Sequence, residues 1–345
     1  MKILVTGGAG MIGSHAAEMW VARGHTVTVL DNLTRSRLCG SDRESVECNW
    51  RFLSRLPGVR LVKGDVRKTR DVREALGDGV DVVLHAAAQT GIGFSLRDPE
   101  EDLTINVLGT LRVLEEVRRR CPHAIVLYCS TNKVYGDNAN ARSVSETPQR
   151  YVCSNGARGI AESTSLDLAG RTPYGVSKCA ADLYVQDYAC SYGIRTAVFR
   201  LSCIYGTRQF GFEDQGWVAH FAISTLLGRP IAIYGDGKQV RDVLYVDDLI
   251  HAFDRFIESA LSQGVFNIGG GPTQTVSLLE LLALLEQLTG KRSPIIYRDW
   301  RPHDQKVYVS DVVHIQKVLG WQPSISLEEG LPQLVQWVEQ HRELL

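Results

Sequence analysis

The stretch KILVTGGAGMIG, residues 2–13, decides the fold because it joins a short apolar run to regularly spaced glycines. KILV is typical of a buried strand, and a GxxGxxG pattern follows it at positions 7, 10 and 13. Gly7 permits a tight turn, Gly10 lets a phosphate approach the backbone, and Gly13 lets the next helix pack closely on the strand. The helix that follows would present free N–H groups to that phosphate. The pattern therefore predicts a strand–turn–helix unit that binds a dinucleotide.

Asp31 ends the second apolar run, HTVTVLD. A carboxylate there accepts hydrogen bonds from the adenosine ribose and repels a 2′-phosphate, so NAD is favoured over NADP. Arg35 and Arg37 follow closely and weaken this preference. A glycine turn with a purely structural role is the alternative. The cofactor contacts predicted from this unit are those of Gly7, Gly10, Met11, Ile12, Gly13, Asp31 and Asn32.

Short apolar runs alternate with longer amphipathic stretches in most of the chain. The runs read as buried parallel strands and the stretches between them as helices. This alternation predicts an α/β fold with a doubly wound parallel sheet, a Rossmann fold. The predicted strands are KILVTG (2–7), HTVTVLD (25–31), VRLVKGD (59–65), DVVLHAAA (81–88), AIVLYCS (124–130) and RTAVFRLS (195–202).

The pattern loosens after Tyr205, where glycines and aromatic residues accumulate. We expect two short strands at most in residues 207–241 and a return to the sheet domain in 242–271. The predicted NAD-binding domain thus comprises 1–206 and 242–271. A smaller, discontinuous domain for the substrate would comprise 207–241 and 272–345.

The amino-acid composition indicates which class of protein the chain belongs to. The 345 residues are 44% hydrophobic and 22% charged, with a net charge of −1, which is typical of a globular protein with an ample core. No sustained basic stretch favours nucleic acid as a partner, and no apolar run is long enough for a membrane span. The eight cysteines form no CxxC pair, so we expect reduced, structural cysteines and no metal site. A signal peptide is not expected, and the predicted compartment is the cytoplasm.

TPYGVSK, residues 172–178, begins a predicted helix that carries a candidate base. Tyr174 and Lys178 stand four residues apart and therefore share one face. A tyrosine that acts as a base near neutral pH needs its pKa lowered by about 3 units. We expect the ammonium of Lys178 and the positive nicotinamide ring to supply that shift. An isolated YxxxK pair is usually a solvated helix face, but the glycine turn upstream argues against chance.

Seven motifs together resemble those of the extended short-chain dehydrogenases/reductases, in the same order along nearly the whole chain. They are TGGAGMIG, Asp31, HAAA, NVLGT, STNKVYG, YGVSK and RDVLYVDD. The resemblance implies a Rossmann fold, tightly held NAD and a nucleotide-diphosphate sugar as substrate. It places Asp65, Val66, Ala86 and Ala87 at the cofactor together with Tyr174 and Lys178. It also implies that Thr131 hydrogen-bonds the reacting hydroxyl.

Asn132 and Lys133 follow Thr131 where family members that dehydrate a sugar carry an Asp-Glu pair. An amide and an amine cannot replace an acid–base pair of carboxylates, so elimination is not expected. A hydride can instead leave a sugar carbon and return to the opposite face of the ketone, which is epimerisation. Asn132 is expected to bind sugar hydroxyls. Lys133 either contacts a hydroxyl or keto oxygen, or reaches solvent.

Several polar and aromatic residues of the later chain are predicted to bind the nucleotide sugar. RQFGFEDQGWV (208–218) offers an aromatic plane and amides that suit a nucleobase, and arginines suit a diphosphate. A turn-rich loop with a packed tryptophan is the equal alternative. Relatives carry Asn where this chain has Cys203, a weaker donor. The predicted substrate residues are Asn132, Lys133, Arg208, Gln209, Gln215, Trp217, Arg241, Arg301 and Asp304.

Within the family, STNKVYG, RYVCSNG, AEST, RQFGFEDQGWV and GDGKQVRDVLYVDD are similar to the motifs of enzymes that invert carbon 2 of CDP-sugars. We therefore expect an NAD-dependent epimerase of a CDP-activated hexose that acts through a transient 2-keto intermediate. A UDP-sugar 4-epimerase is the nearest alternative, followed by a dehydratase and a non-catalytic dinucleotide-binding regulator. His85 is expected to pack and Asn106 to tether backbone near Tyr174. Relatives pair through helices, so a homodimer or homotetramer is expected.

Overall fold

The computed structural model describes residues 1–35, 43–153, 159–301 and 303–345, and omits the side chains of 43–46. Arg37, part of the RYVCSNG motif and Pro302 of the RPHD motif therefore lie outside the described residues.

A large sheet is built from seven strands, namely β1 (Lys2–Thr6), β2 (Thr26–Asp31), β3 (Val59–Lys63), β4 (Val82–His85), β5 (Ile125–Thr131), β8 (Thr196–Leu201) and β12 (Gln263–Ile268). Their order across the sheet is β12-β8-β5-β4-β1-β2-β3. The strands β1 to β5 pair in parallel, with β1 between β2 and β4. Every residue of β4, β5 and β8 is buried, as expected for central strands of a parallel sheet that is covered on both faces.

The order of the strands reverses at β1, because β2 follows it on one side and β4 lies on the other. In open parallel sheets a ligand binds outside the carboxyl ends of the strands at such a switch point. Register places Thr6, the last residue of β1, opposite Leu30 of β2 and His85 of β4. The chain that follows these ends is therefore where a cofactor site is expected.

Helices connect the strands, as the alternation predicts. A π-helical turn, Thr104–Leu108, joins two of them, and a kinked 3-10 segment, Asn132–Asn140, follows β5. The helices in the described chain are α1 (Met11–Ala22), α2 (Arg43–Ser54), α3 (Thr69–Leu76), α4 (Ile92–Arg97), α5 (Pro99–Leu103), α6 (Gly109–Arg120), α7 (Pro173–Tyr192), α8 (Trp217–Leu227), α9 (Val246–Glu258), α10 (Leu278–Thr289), α11 (Val313–Leu319) and α12 (Leu327–Gln340).

Contacts divide the chain into two compact units. The first unit comprises Met1–Val134, Pro173–Arg200 and Ile250–Phe266, and it holds nearly all of the large sheet. The second unit comprises Tyr135–Thr172, Leu201–Leu249 and Asn267–Leu345.

Small sheets characterise the second unit. In one of them β11 pairs with β9 and β15 in parallel and with β13 antiparallel. The strands are β6 (Val144–Glu146), β7 (Tyr151–Cys153), β9 (Cys203–Tyr205), β10 (Ile231–Tyr234), β11 (Val240–Tyr245), β13 (Thr275–Ser277), β14 (Ile295–Arg298) and β15 (Val307–Tyr308).

The α/β fold with a doubly wound parallel sheet is confirmed. The division into units differs from the predicted bounds chiefly at residues 135–172, which join the second unit. Backbone bonds within that unit account for the difference, since Tyr151 N donates to Lys238 O and Ile160 N to Val309 O. The functional assignment of the two domains stays a prediction.

The expectation of two short strands at most in 207–241 left out helix α8, which residues 217–227 form. Eight of the eleven residues of α8 are buried. A helix that is apolar almost all round lacks the one-sided periodicity by which sequence analysis detects helices.

Candidate active site

Gly7 turns the chain after β1 with a φ of +70°, in the left-handed region that side chains rarely adopt. A Cβ at Gly7 would lie 2.6 Å from the backbone of Ala87, and one at Gly13 would lie 2.6 Å from Gly7 O. Both glycines are therefore needed for the close approach of backbones. Gly10 precedes α1, and no side chain caps the helix end that Met11 and Ile12 begin. A bare turn and an uncapped helix N-terminus fit the pyrophosphate of a dinucleotide.

Asp31 ends β2 and binds the same turn. Its carboxylate accepts hydrogen bonds from Ala9 N (3.0 Å) and Leu33 N (2.8 Å). Burial raises the pKa of Asp31, although these amides oppose the rise. The carboxylate is thus fixed at the carboxyl end of β2, where the predicted ribose contact requires it.

Asp65, predicted at the cofactor, is engaged by neighbouring side chains. It accepts from Asn32 Nδ2 (3.1 Å) and from the guanidinium of Arg67 (2.7 Å). Burial would raise the pKa of Asp65, but the bonds from Arg67 and Asn32 outweigh it and lower the pKa. Val66 is buried beside Gly109, where a Cβ would lie 2.8 Å from its side chain. Sequence reasoning did not anticipate Arg67 as the partner of Asp65.

Ala86 and Ala87 follow β4 and bond to Thr6 through their backbone. Ala86 N donates to Thr6 O (3.1 Å), and Ala87 N to Thr6 Oγ1 (3.3 Å). His85, one residue earlier, is buried between two hydroxyls, with Nδ1 2.7 Å from Thr6 Oγ1 and Nε2 2.9 Å from Thr110 Oγ1. Burial lowers the pKa of His85 to about 3, so the ring is neutral. This arrangement agrees with the predicted packing role of His85.

Thr131 and Tyr174 meet in the first unit, as the resemblance implied. Thr131 is the last residue of β5, Tyr174 lies in the first turn of α7, and the Thr131 side chain is near enough to the Tyr174 hydroxyl to lower its pKa. Both side chains are buried, with 7% and 9% exposure. Burial raises the pKa of Tyr174 to about 12, despite the opposing effect of Thr131. In the protein without NAD, burial therefore dominates, and the predicted lowering of this pKa by Lys178 and the nicotinamide ring together stays a prediction.

Lys178 lies one helical turn after Tyr174 and is also buried. Its ammonium donates to Cys129 O at 2.6 Å and lies 4.2 Å from the centre of the Tyr128 ring. Burial lowers the pKa of Lys178 to about 8. Its partners are thus a carbonyl and a ring face, and the ammonium keeps its positive charge near neutral pH.

Asn106 tethers backbone near Tyr174, as predicted. It donates to Gln89 O (3.1 Å) and accepts from Gln89 N (2.9 Å). It also donates to Ser177 Oγ (3.0 Å), and that hydroxyl donates to Tyr174 O (3.1 Å). Helix α7 is therefore linked to the chain after β4 through one buried amide.

Asn132 and Lys133 occupy the turn after Thr131. Asn132 is 6% exposed, and its Oδ1 accepts from Thr131 Oγ1 over a long 3.4 Å. Lys133 N donates to Thr131 Oγ1 (3.3 Å), and the Lys133 side chain is half-buried. The amide of Asn132 is thus placed directly beside the hydroxyl of Thr131.

The RQFGFEDQGWV loop belongs to the second unit. Arg208 has a left-handed φ of +57°, and Gln209, 4% exposed, donates to Ile204 O (3.1 Å). Trp217 Nε1 donates to Cys203 Sγ (3.2 Å), so the thiol at the position of the family's asparagine acts as an acceptor. Gln215 closes a short turn through paired backbone bonds with Phe212, both 3.0 Å long.

The two arginines predicted to bind a diphosphate pair with carboxylates of the second unit. Arg241, 8% exposed, lies 2.8 Å from Asp304. Arg301 lies 3.0 Å from Asp214 and stacks on Tyr234 at 4.0 Å. Sequence reasoning assigned these groups to the substrate separately and did not detect that the acids hold the arginines.

A family model described as the NAD dependent epimerase/dehydratase family matches residues 3–269. The chain belongs to that family. Membership confirms the resemblance to the extended short-chain dehydrogenases/reductases, and with it an enzyme that uses NAD. The roles of individual site residues stay predictions.

Three relatives show how this member of the epimerase/dehydratase family compares with others. It is 38% identical to the CDP-paratose 2-epimerase of Salmonella typhi over 345 residues, 98% of this chain and 99% of the relative. The UDP-glucose 4-epimerase of Thermus thermophilus in complex with NAD matches with a TM-score of 0.79 and 31% identity, over 99% and 100% of the two chains. The UDP-glucose 4-epimerase of Thermotoga maritima with UDP-glucose matches with a TM-score of 0.79 and 29% identity, over 99% of each chain.

The sequence analysis did not predict two features near the Tyr174–Lys178 pair of this family member. They are the ring of Tyr128 under the ammonium and the buried carboxyl of Asp102. The DxxxN spacing of Asp102 and Asn106 could have indicated that the two share a helix face. Within the part of the chain that the structure describes, no helix is long and apolar enough to cross a membrane.

Proposed function

We propose that the chain epimerises a nucleotide-activated hexose by moving a hydride and a proton, and that its substrate is a CDP-sugar inverted at carbon 2. The observation that carries the proposal is that the buried side chains of Thr131 and Tyr174 interact, with Asn132 following where an eliminating enzyme needs a carboxylic acid. The 38% identity to a CDP-paratose 2-epimerase supports the choice of nucleotide and carbon.

Tyr174 acts as the base of this reaction. It takes the proton of the hydroxyl on the carbon being oxidised, and it returns that proton after the ketone has turned its other face. Bound NAD supplies the acceptor and donor of the hydride and, in its oxidised form, a positive charge. Thr131 hydrogen-bonds the same hydroxyl. The positive charge of oxidised NAD is needed because, in the protein alone, burial raises the pKa of Tyr174 to about 12.

Lys178 contributes a fixed positive charge and a donor. Its ammonium has three hydrogens, and one is committed to Cys129 O. The remaining donors suit the hydroxyls of the nicotinamide ribose. The ammonium of Lys178 is held by a carbonyl and a ring face and has no carboxylate bonded to it. Its positive charge is therefore not neutralised where it lies one helical turn from Tyr174.

The substrate's nucleotide is assigned to the second unit. Arg208, Arg241 and Arg301 are the cations for the diphosphate, while Gln209, Gln215 and Trp217 are the groups for the nucleobase. Asp304 is assigned to the ribose. Arg241 and Arg301 pair with Asp304 and Asp214, so the diphosphate competes with those carboxylates.

A UDP-sugar 4-epimerase is the second candidate, favoured by the UDP-glucose 4-epimerases among the similar structures. Incubating the purified protein with CDP- and UDP-hexoses and identifying the products by NMR separates the two. We expect inversion at carbon 2 with the CDP-sugar. Inversion at carbon 4 of the UDP-sugar alone would replace the first candidate by the second. A protein that binds NAD and converts neither would overturn both.

We further propose that the protein pairs with itself through the first unit. Helices α5 and α7 and the π-turn expose large apolar side chains, namely Leu103, Leu108, Val176, Leu183 and Tyr184. Light scattering coupled to gel filtration should give a homodimer or homotetramer. The double substitution Leu103→Glu and Leu183→Glu should give monomers, and an unchanged mass would exclude this face.

A further inference from the structure

An aromatic ring lies beneath the ammonium of Lys178 in the first unit. Tyr128 belongs to β5 and Lys178 to α7, and the ammonium nitrogen lies 4.2 Å from the centre of the Tyr128 ring. The two residues are 1% and 3% exposed. The face of an aromatic ring carries partial negative charge and attracts a cation at this distance, more strongly where water is excluded. The contact therefore has the geometry of a buried cation–π interaction.

The buried ammonium depends on contacts of this kind. Burial disfavours the charged form and lowers the pKa of Lys178 to about 8. An ammonium has three hydrogens, and in the described chain it makes one hydrogen bond, to Cys129 O at 2.6 Å. The ring face of Tyr128 is a second contact that favours the charge. It attracts the ammonium without neutralising it, whereas a carboxylate would neutralise it.

Two carboxyl groups near Lys178 are occupied by other partners. Asp182 lies on the same helix and pairs with Arg200 at 3.0 Å. Asp102, on α5, accepts hydrogen bonds from two neutral side-chain amides. Both carboxyl groups favour the ammonium from a distance, but no hydrogen bond joins either of them to it within the described residues. They therefore do not replace the direct contact with the ring.

The other titratable groups that face Lys178 and the ring carry no charge near neutral pH. Burial raises the pKa of Cys129 and of Tyr174 to about 12 and lowers the pKa of His85 to about 3. The neutral ring of His85 stacks on Tyr128 with the centres 5.6 Å apart, and two threonine hydroxyls bind its nitrogens. The Tyr128 ring is thus itself held in place.

We propose that Tyr128 is a positioning residue whose ring face holds the charged ammonium of Lys178 one helical turn from Tyr174. This inference rests on the proposed role of Lys178 as a fixed positive charge and a donor to the nicotinamide ribose. Tyr128 acts through Lys178 and not on the substrate. The hydrogens of the ammonium that Cys129 O leaves unused stay available for the cofactor.

Two substitutions separate the ring face from the bulk of the side chain. Tyr128→Phe keeps the ring and removes a hydroxyl, so Lys178 should titrate within a few tenths of a pH unit of wild type. Tyr128→Leu keeps an apolar side chain and removes the ring, so the pKa of Lys178 should fall by about one unit. Phe266→Leu removes another buried ring of the first unit, packed against Phe199 and Phe256, and should leave the Lys178 titration unchanged.

Carbon-13 NMR of the NAD-free full chain measures this titration directly. Lysine labelled at the ε-carbon gives a signal for each lysine, and the signal that is missing in Lys178→Met belongs to Lys178. A fall of about one unit in Tyr128→Leu, with Tyr128→Phe and Phe266→Leu unchanged, supports the proposal. The same pKa in Tyr128→Leu and Tyr128→Phe overturns it, because the ring would then only fill space.

Fluorinated phenylalanines at position 128 test the same contact with little change of shape, should Tyr128→Leu fail to fold. Each fluorine withdraws charge from the ring face, so the pKa of Lys178 should fall stepwise from phenylalanine through monofluoro- to trifluorophenylalanine. A pKa that does not change with the number of fluorines overturns the proposal.

Turnover at pH 7 tests whether the contact serves the reaction. The value of kcat should stay near wild type in Tyr128→Phe and fall by about 10-fold in Tyr128→Leu, because the ammonium loses both charge and position. An unchanged kcat in Tyr128→Leu overturns the positioning role. The NMR titration does not depend on turnover, so a wrong substrate assignment would leave it intact.

Discussion

The two units hold the cations of the predicted site in opposite ways. In the first unit, the ammonium of Lys178 is buried against a carbonyl and an aromatic ring, both uncharged. In the second unit, the guanidinium groups of Arg241 and Arg301 pair with Asp304 and Asp214. In the proposed reaction, the first arrangement keeps a positive charge at a fixed place beside Tyr174. The second neutralises two arginines, and we propose that the diphosphate of the substrate replaces their acids.

The substitution with the largest expected effect removes the proposed catalytic base of the first unit. Tyr174→Phe keeps the ring and removes the proton acceptor, so turnover should fall by about 10²–10⁴ or more while NAD stays bound. Steady-state kinetics and the absorbance of released cofactor measure the two quantities. Tyr297→Phe, which alters an exposed tyrosine of the second unit, is the control and should be silent. Near-normal turnover of Tyr174→Phe would reject Tyr174 as the base.

The buried charge of Lys178 should make the free energy of unfolding of the NAD-free protein depend on pH. Because burial lowers its pKa from 10.5 to about 8, the unfolded chain binds the proton more tightly between those pH values. Stability from this residue therefore rises as pH increases from about 8 to 10.5, by about 3 kcal/mol at most. Urea unfolding of wild type and Lys178→Met across this range measures the difference. Parallel profiles would show that the ammonium is not penalised by burial.

The glycine turn tests the preorganised cofactor site. Gly7→Ala places a Cβ 2.6 Å from the Ala87 backbone at a φ of +70°, and should cost about 1–3 kcal/mol and remove bound NAD. Gly24→Ala is a close control, because its φ is +81° but its Cβ would have nothing within 4 Å. Cofactor content and thermal unfolding should separate the two variants. Equal behaviour would mean that strain, and not the close approach, makes Gly7 necessary.

The smallest expected effect tests the exchange of partners in the second unit. Asp214→Asn releases Arg301 from its ion pair, so the KM for the nucleotide sugar should fall, by at most about fivefold for a partly exposed pair. Glu258→Gln alters an exposed pair with Arg255 on α9 and serves as the control. A higher KM for Asp214→Asn would mean that the acid helps to place Arg301 rather than competing for it.

The features that could be predicted from the sequence are those that depend on residues close together in the chain. The glycine spacing, the alternation of strands and helices, and the four-residue spacing of Tyr174 and Lys178 are all local, and each appears in the structure. The pairing of Arg241 with Asp304 was not predictable, because it joins distant segments of the chain. Burial raises the pKa of Tyr174 in the protein without NAD, and this effect was not predictable because burial is a property of the packed site.

Helix α8 is an element of the fold that could not be predicted from local sequence patterns. Its sequence, WVAHFAISTLL, is apolar on almost every side, and the sequence analysis predicts two short strands at most in the segment that contains it. Periodicity detects a helix only when one face is polar. The carboxyl of Asp102 was likewise hidden, because an acid in an exposed-looking PEED stretch is usually solvated.

In the proposed reaction the site inverts a sugar carbon by hydride transfer and does not eliminate water. The most direct test uses a CDP-hexose that carries deuterium on carbon 2 and an intact 6-hydroxyl, with the wild-type enzyme and NMR analysis of the product. We expect inversion at carbon 2 with the deuterium retained there, because the hydride leaves and returns to the same carbon. Accumulation of a 4-keto-6-deoxy sugar, or exchange of the carbon-2 deuterium with solvent, would contradict it.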